Sequence, residues 1–184
     1  MLWGLLILVA YGGLAQRSAA ADPRFVDDQL GPVQLANVAS GGAFVLRFPG
    51  SEPEPEFGLT VYRYTNASRS EVLELFCHPG CERYEFMEFR VQAGSEAKGA
   101  AVTSLTSFQS GRGVHVGLTV RQLIQLLGEP HGEKSEAGVR TLFYRCSSSA
   151  VCPVLQRVGM PAYQARYSFR SGVLVAFESG YPYP

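Results

Sequence analysis

Thr119-Val120-Arg121-Gln122-Leu123-Ile124-Gln125-Leu126-Leu127-Gly128-Glu129-Pro130 is the stretch whose reading decides the fold. Thr119 can cap a helix while Gln122, three residues on, reaches back to it. Val120, Leu123, Ile124 and Leu127 repeat at the i, i+3, i+4, i+7 spacing of one buried face. Gly128 fits the left-handed exit and Pro130 blocks continuation. A helix this short draws its stability from packing rather than propensity. The residues C-terminal to it supply a sheet to pack on. Residues 139–146, 162–169 and 173–178 read as three strands, the last two joined by the turn Arg170-Ser171-Gly172. The expected fold class is α+β, an antiparallel sheet with one or a few short helices on one face.

Upstream, strands dominate. Gly41-Gly42 leads into Ala43-Phe44-Val45-Leu46-Arg47-Phe48, read as a strand closed by Pro49-Gly50. Ser51-Glu52-Pro53-Glu54-Pro55-Glu56 has two residues without an N–H and reads as an extended acidic loop rather than a central strand. Residues 59–64 and 71–77 are rich in Val, Leu, Tyr and Phe and read as consecutive antiparallel strands around Thr65-Asn66-Ala67-Ser68. Asn66-Ala67-Ser68 is also a glycosylation sequon. Residues 84–91 form a further strand with Met87, Phe89 and Val91 on one face. The small, polar run 93–101 marks a seam between an N-terminal half, 22–101, and a C-terminal half, 102–184.

The 184 residues carry 16 Lys and Arg against 16 Asp and Glu and are 46% hydrophobic. That balance excludes disordered, coiled-coil and collagen-like classes, and it gives no basic field to attract nucleic acid or anionic lipid. Met1 to Leu14 is almost wholly apolar and Ala19-Ala20-Ala21 follows, so residues 1–21 read as a secretory signal peptide cut near Ala21. The run is shorter than a bilayer-spanning helix. Cleavage would leave one near-neutral domain with a periplasmic destination and no stable membrane anchor. In an oxidising compartment Cys77, Cys81, Cys146 and Cys152 read as two disulfides with three connectivities open, the local pairs Cys77–Cys81 and Cys146–Cys152 being favoured because each encloses turn-forming residues. Neither spacing matches the C-x2-C knuckle of a thiolate zinc site or of a helix-opening redox dithiol. No metal or cofactor is expected.

The run Gly113-Val114-His115-Val116-Gly117-Leu118-Thr119, the helix ending Leu127-Gly128-Glu129-Pro130, the aromatic pair Phe143-Tyr144, and the hairpin Tyr167-Ser168-Phe169 with Gly172-Val173-Leu174 resemble the repeat of the SmpA/BamE and β-lactamase-inhibitor-like proteins. The resemblance covers about residues 111–178. It implies a small α+β domain whose helices pack on one face of an antiparallel sheet, in a periplasmic or secreted protein that is not an enzyme and binds other proteins through the sheet and its loops. The family's outer-membrane assembly member is a lipoprotein, and the absence here of its anchoring cysteine favours an inhibitor or immunity role.

The residues themselves offer two kinds of site. His78, His115 and His131 are the natural acid–base candidates, and Ser107 and Ser110 the natural nucleophiles, but no G-x-S-x-G, H-E-x-x-H or phosphate-cradling loop surrounds them. His78 is expected as an exposed loop residue, His131 as a polar turn residue and His115 as a half-buried strand residue. Thr106-Ser107-Phe108-Gln109-Ser110-Gly111-Arg112-Gly113 has more to offer a partner: glycines for a projecting turn, Phe108 as an anchor, and Ser107, Gln109, Ser110 and Arg112 as hydrogen-bonding groups. The C-terminal Gly180-Tyr181-Pro182-Tyr183-Pro184 is either a second contact surface or a cover folded back on the sheet, and the Glu52, Glu54, Glu56 loop is either solvated or a mimic of an acidic substrate. The expected function is that of an inhibitor or immunity protein that blocks a cell-envelope hydrolase, such as a peptidoglycan-degrading toxin, by inserting the 107–112 loop. The alternatives are an accessory factor in outer-membrane assembly and an envelope enzyme.

Overall fold

The computed structural model describes residues 21–51, 53–56, 58–94, 97 and 99–182. The expected signal peptide lies outside them, apart from Ala21. Two short strands, β1 (Gln29–Leu30) and β2 (Val33–Gln34), pair with each other. Helix α1 (Val38–Arg47) comes next, then β3 (Glu54–Glu56), β4 (Leu59–Thr65), β5 (Glu71–Cys77), β6 (Glu88–Ala93) and β7 (Ala101–Val102). The second half holds α2 (Val120–Leu127), β8 (Gly132–Glu136), β9 (Val139–Cys146), α3 (Val154–Val158), β10 (Tyr163–Arg170) and β11 (Val173–Gly180).

All strands from β3 onward join one sheet in the order β3-β4-β5-β6-β11-β10-β9-β8, with β7 pairing parallel to β4. The order is a palindrome of two units, each a helix followed by a four-stranded antiparallel meander. The halves read from the sequence therefore share a sheet, joined where β6 runs antiparallel to β11. The α+β architecture follows from the two periodicities. Side chains at alternate strand positions reach the helical face, and these are apolar: Tyr62 and Tyr64, Leu73 and Leu75, Phe89 and Val91, Leu142 and Tyr144, Ala165 and Tyr167, Leu174 and Phe177, all within one core. The core is cemented by aromatic pairs such as Phe44–Tyr64, with ring centroids 4.9 Å apart, and Tyr144–Tyr167 at 5.5 Å.

Helix α2 matches its reading. Thr119 and Gln122 form the capping box, and Leu123 and Leu127 are buried, each worth about 1.5–3 kcal/mol of apolar burial. The hydroxyl of Tyr144 on β9 donates to the Gly128 carbonyl at 2.8 Å, fixing the helix exit against the sheet.

The reading of residues 43–48 as a strand is overturned, because 43–47 belong to α1 and Phe48 is its C-cap. Asn37 caps that helix, its side chain accepting from the Ser40 N–H at 3.1 Å. Gly41 is a point of close approach rather than a turn, since a Cβ there would lie 2.1 Å from the Tyr84 carbonyl oxygen. A short apolar run such as Ala-Phe-Val-Leu fits a buried strand or a helix equally, and only the cap upstream separates them. The acidic segment 51–56 is likewise not wholly loop. Glu54–Glu56 pairs with β4 as the outermost strand, a place where Pro55 costs no ladder bond in the sheet interior. Among the described residues, no helix is long and apolar enough to cross a membrane.

Candidate binding surface

The segment expected to project is instead clamped. Phe108 is 1% exposed and lies in the core, and its N–H donates to Glu71 Oε2 at 2.7 Å. Ser110 is buried, its hydroxyl donating to Asp27 Oδ2 and accepting from the Val114 N–H. Backbone bonds from Gly31 N–H to the Gln109 carbonyl and from Gly111 N–H to the Gln29 carbonyl, both 2.8 Å, tie the segment to β1 and the turn after it. Ser107, Gln109 and Arg112 point outward, but the anchor assigned to Phe108 and the partner contact assigned to Ser110 are corrected to structural roles. An aromatic at an alternating position faces inward once the segment pairs as an extended chain.

Asp27 is the centre of this clamp, and sequence reading missed it. Its carboxylate receives Ser110 Oγ and the Arg112 N–H, the latter at 3.1 Å, while its backbone N–H donates to the Tyr163 hydroxyl and its carbonyl accepts from Ser179 Oγ. Burial raises its pKa from 3.8 to about 6, against the opposing pull of the Ser110 and Arg112 hydrogen bonds and the Arg112 charge. Nothing in the Val-Asp-Asp-Gln run around it signals burial.

Each candidate for chemistry has a place. His78 is buried, contrary to the exposed loop position expected, and burial lowers its pKa. The half-buried His115 has Nδ1 2.8 Å from the Val116 carbonyl oxygen. His131 sits in the turn after α2, where Nδ1 accepts from the Arg145 N–H at 2.9 Å and the ring meets Phe25 edge-on. Among the described residues, no group of three or more His, Cys, Asp or Glu is placed to hold a metal ion.

Cys146 and Cys152 form the expected disulfide. Cys77 and Cys81 are free thiols, which corrects the expected second bridge. Cys77 closes β5 with its side chain in the core, locked there by pairing with Thr60, and burial raises its pKa to about 11. The sequon is closed as well. Asn66 is 1% exposed and its amide is spent on Ser70 Oγ and the Thr106 carbonyl. Tyr181 is buried with its hydroxyl 3.2 Å from Asp28 Oδ2, so the C-terminus folds back as a cover, while Tyr183 and Pro184 lie outside the described residues.

What the structure leaves open is the other face of the sheet from β6 to β8; over β4 and β5 that face is covered as well, with Val61, Val72 and Phe76 buried. Direct cross-strand neighbours run Arg63, Glu74, Arg90, Glu178, Arg166, Phe143 and Gly132 across seven strands. The first five are an alternating ion ladder. Arg63 Nε is 2.9 Å from Glu74, Arg90 is 3.2 Å from both Glu74 and Glu178, and Arg166 Nε meets Glu178. Glu54 and Glu56 join from β3, both pairing with Arg63. Arg63, Glu74 and Glu178 are only 15%, 12% and 15% exposed, so the ladder's attraction is set against the cost of desolvating its charges, and removing one partner would strand another.

A groove of about 460 Å³ lies over β6, β11, β10, β9 and β8, with Arg90, Glu178 and Arg166 of the ladder among its lining residues. Phe143 lies in its floor, with Thr141 and Ser168 sharing a hydroxyl contact of 3.2 Å and Lys134 on its far wall. The halves differ in charge. Residues 22–101 carry 7 basic and 12 acidic side chains, and residues 102–184 carry 8 basic and 4 acidic. The groove therefore lies mostly on the basic half. Comparison with protein-family models, curated proteins and solved structures finds no match to this chain.

Proposed function

We propose that the chain is an exported binding protein, an inhibitor or immunity protein that blocks a cell-envelope hydrolase, and that it docks through the open face of its sheet rather than through the 107–112 loop. The observation that carries the docking mode is the grooved, polar outer face, where a half-buried aromatic and a hydroxyl pair are ringed by charge in the manner of a specific protein contact. The resemblance over residues 111–178 supports the role, since it implies binding of other proteins through the sheet; the target class rests on that analogy.

The test is to immobilise oxidised protein beginning at Asp22, expose it to the exported and envelope proteins of its own organism, and titrate the captured hydrolase with free protein. Stoichiometric capture with loss of hydrolase activity is expected, and Ser168→Trp, which fills the groove without altering charge, should abolish both. Recovery of outer-membrane proteins instead would replace the inhibitor role by an assembly role. Capture undiminished by Ser168→Trp would remove the sheet face from consideration.

A further inference from the structure

The ion ladder ends unevenly, and its end points to what the groove accepts. Every guanidinium before the last lies between carboxylates: Arg63 among Glu54, Glu56 and Glu74, and Arg90 between Glu74 and Glu178. Arg166 has a carboxylate on one side only. Its Nε meets Glu178, while both Nη nitrogens make no hydrogen bond among the described residues. Its neighbour on the other side is Phe143, and beyond that stands Gly132, where a Cβ would meet nothing within 4 Å. The row that alternates in sign for five positions thus breaks off at a cation facing an unfilled space.

The groove's lining carries three cations, Arg90, Lys134 and Arg166, against two carboxylates, Glu136 and Glu178. Lys134 itself is held by Glu136 at 2.5 Å and Arg90 lies between Glu74 and Glu178, which leaves the Nη nitrogens of Arg166 as the cationic donors of the lining with no carboxylate on them among the described residues. A guanidinium with both Nη nitrogens free presents the fork that a carboxylate fits in bidentate fashion. The adjacent Thr141 and Ser168 hydroxyls can donate to such a group, and the ring of Phe143 would pack against its methylene stem.

We infer that the groove takes an acidic side chain, Asp or Glu, from a protein partner, and that this carboxylate occupies the missing rung beside Arg166. The inference rests on docking through the sheet face and names the chemistry of what docks. The partner's contact region is accordingly acidic at its centre, with the basic half of this chain meeting it by charge complementarity.

The probe is capped hexa-L-glutamate, titrated at low ionic strength into 15N-labelled protein while the arginine Nε–H and backbone signals are followed. Shifts are expected to centre on Arg166, Thr141 and Ser168. Arg166→Gln should weaken binding at least tenfold, whereas Arg121→Gln, which removes an equal charge from the exposed surface of α2, should change it by less than twofold. Gly132→Glu, at a position with room for a side chain, should also weaken binding at least tenfold by supplying the carboxylate from within the chain. Equal losses in Arg166→Gln and Arg121→Gln would reduce the effect to net charge and overturn the assignment. Tighter binding of a sulfated hexasaccharide at the same residues would overturn it in favour of a polyanion. With the captured partner, loss of binding in Ser168→Trp but not in Arg166→Gln would leave the docking face standing and refute the acidic rung. Retention by both would refute the docking face.

Discussion

Replacing Asp27 by Asn isolates the cost of a buried charge. The carboxyl is 3% exposed and carries a pKa of about 6 instead of 3.8, chiefly because burial disfavours its ionised form. Between those two values the folded chain holds a proton that the unfolded chain has lost, so stability falls as pH rises from about 4 to above 6 and then levels. The rise in pKa corresponds to about 3 kcal/mol. Arg112, Asp28, Tyr163 and Tyr167 are the charged or titratable groups around it, and the positive Arg112 already offsets part of the cost. Asn keeps both contacts, its Oδ1 accepting from the Arg112 N–H and its amide donating to Ser110 Oγ, but it does not titrate. Urea unfolding at pH 4.5 and pH 7.5 should show the stability difference between variant and wild type moving by about 2 kcal/mol in favour of the variant at the higher pH. A difference that stays constant across this range would refute the account of Asp27 as a charge buried at a cost.

Phe108→Ala should destabilise the fold by about 3–5 kcal/mol, as removal of a fully buried aromatic does; a loss below 1 kcal/mol in chemical denaturation would return Phe108 to the surface. Gly41→Ala places a methyl group 2.1 Å from the Tyr84 carbonyl, and thermal melting should record a loss of about 1–3 kcal/mol or more from overpacking. In the native oxidised protein iodoacetamide should label Cys81 before Cys77 and spare Cys146 and Cys152, as mass mapping would show; equal labelling of the first two would contradict the burial of Cys77 in the core. Expression in a glycosylating host should leave the mass at Asn66 unchanged, because its amide is buried and hydrogen-bonded on both sides.

Helix α2 and strands β9 to β11 were legible because their signals are local, whereas β8 and α3 carry no such signal and were not read. The capping box, the 3.6-residue spacing and the Gly128 exit all lie within ten residues of one another, and the Ser171-Gly172 turn sits between clear strands. What escaped was non-local. Helix α1 hides behind two glycines, of which Gly41 answers to the Tyr84 carbonyl in the 78–87 connection, and no pattern near Gly41 reports Tyr84. Phe108 reads as an exposed anchor because its neighbours are polar, yet polar neighbours at alternate positions are also what an extended segment with one buried face looks like. The ladder's charges are individually visible in strands, as Arg63, Glu74, Arg90, Arg166 and Glu178 interrupt apolar runs. Their alignment depends on the β6–β11 pairing, which joins residues about ninety positions apart and which no local spacing encodes.

The two borders of the sheet have a consequence for how anything can approach it. One border is the three-residue strand Glu54-Pro55-Glu56, with a ring that has no N–H to offer and two acids beside it, continued by the two residues of β7 against the far end of β4. The other is Gly132–Glu136, fully exposed and carrying Glu133, Lys134 and Glu136 in five residues. Short length, proline and dense charge all deter a foreign strand from extending the ladder of backbone hydrogen bonds. The protein is thereby protected from stacking border to border with its own copies at high concentration, and a visitor is steered away from strand addition and onto the flat of the sheet.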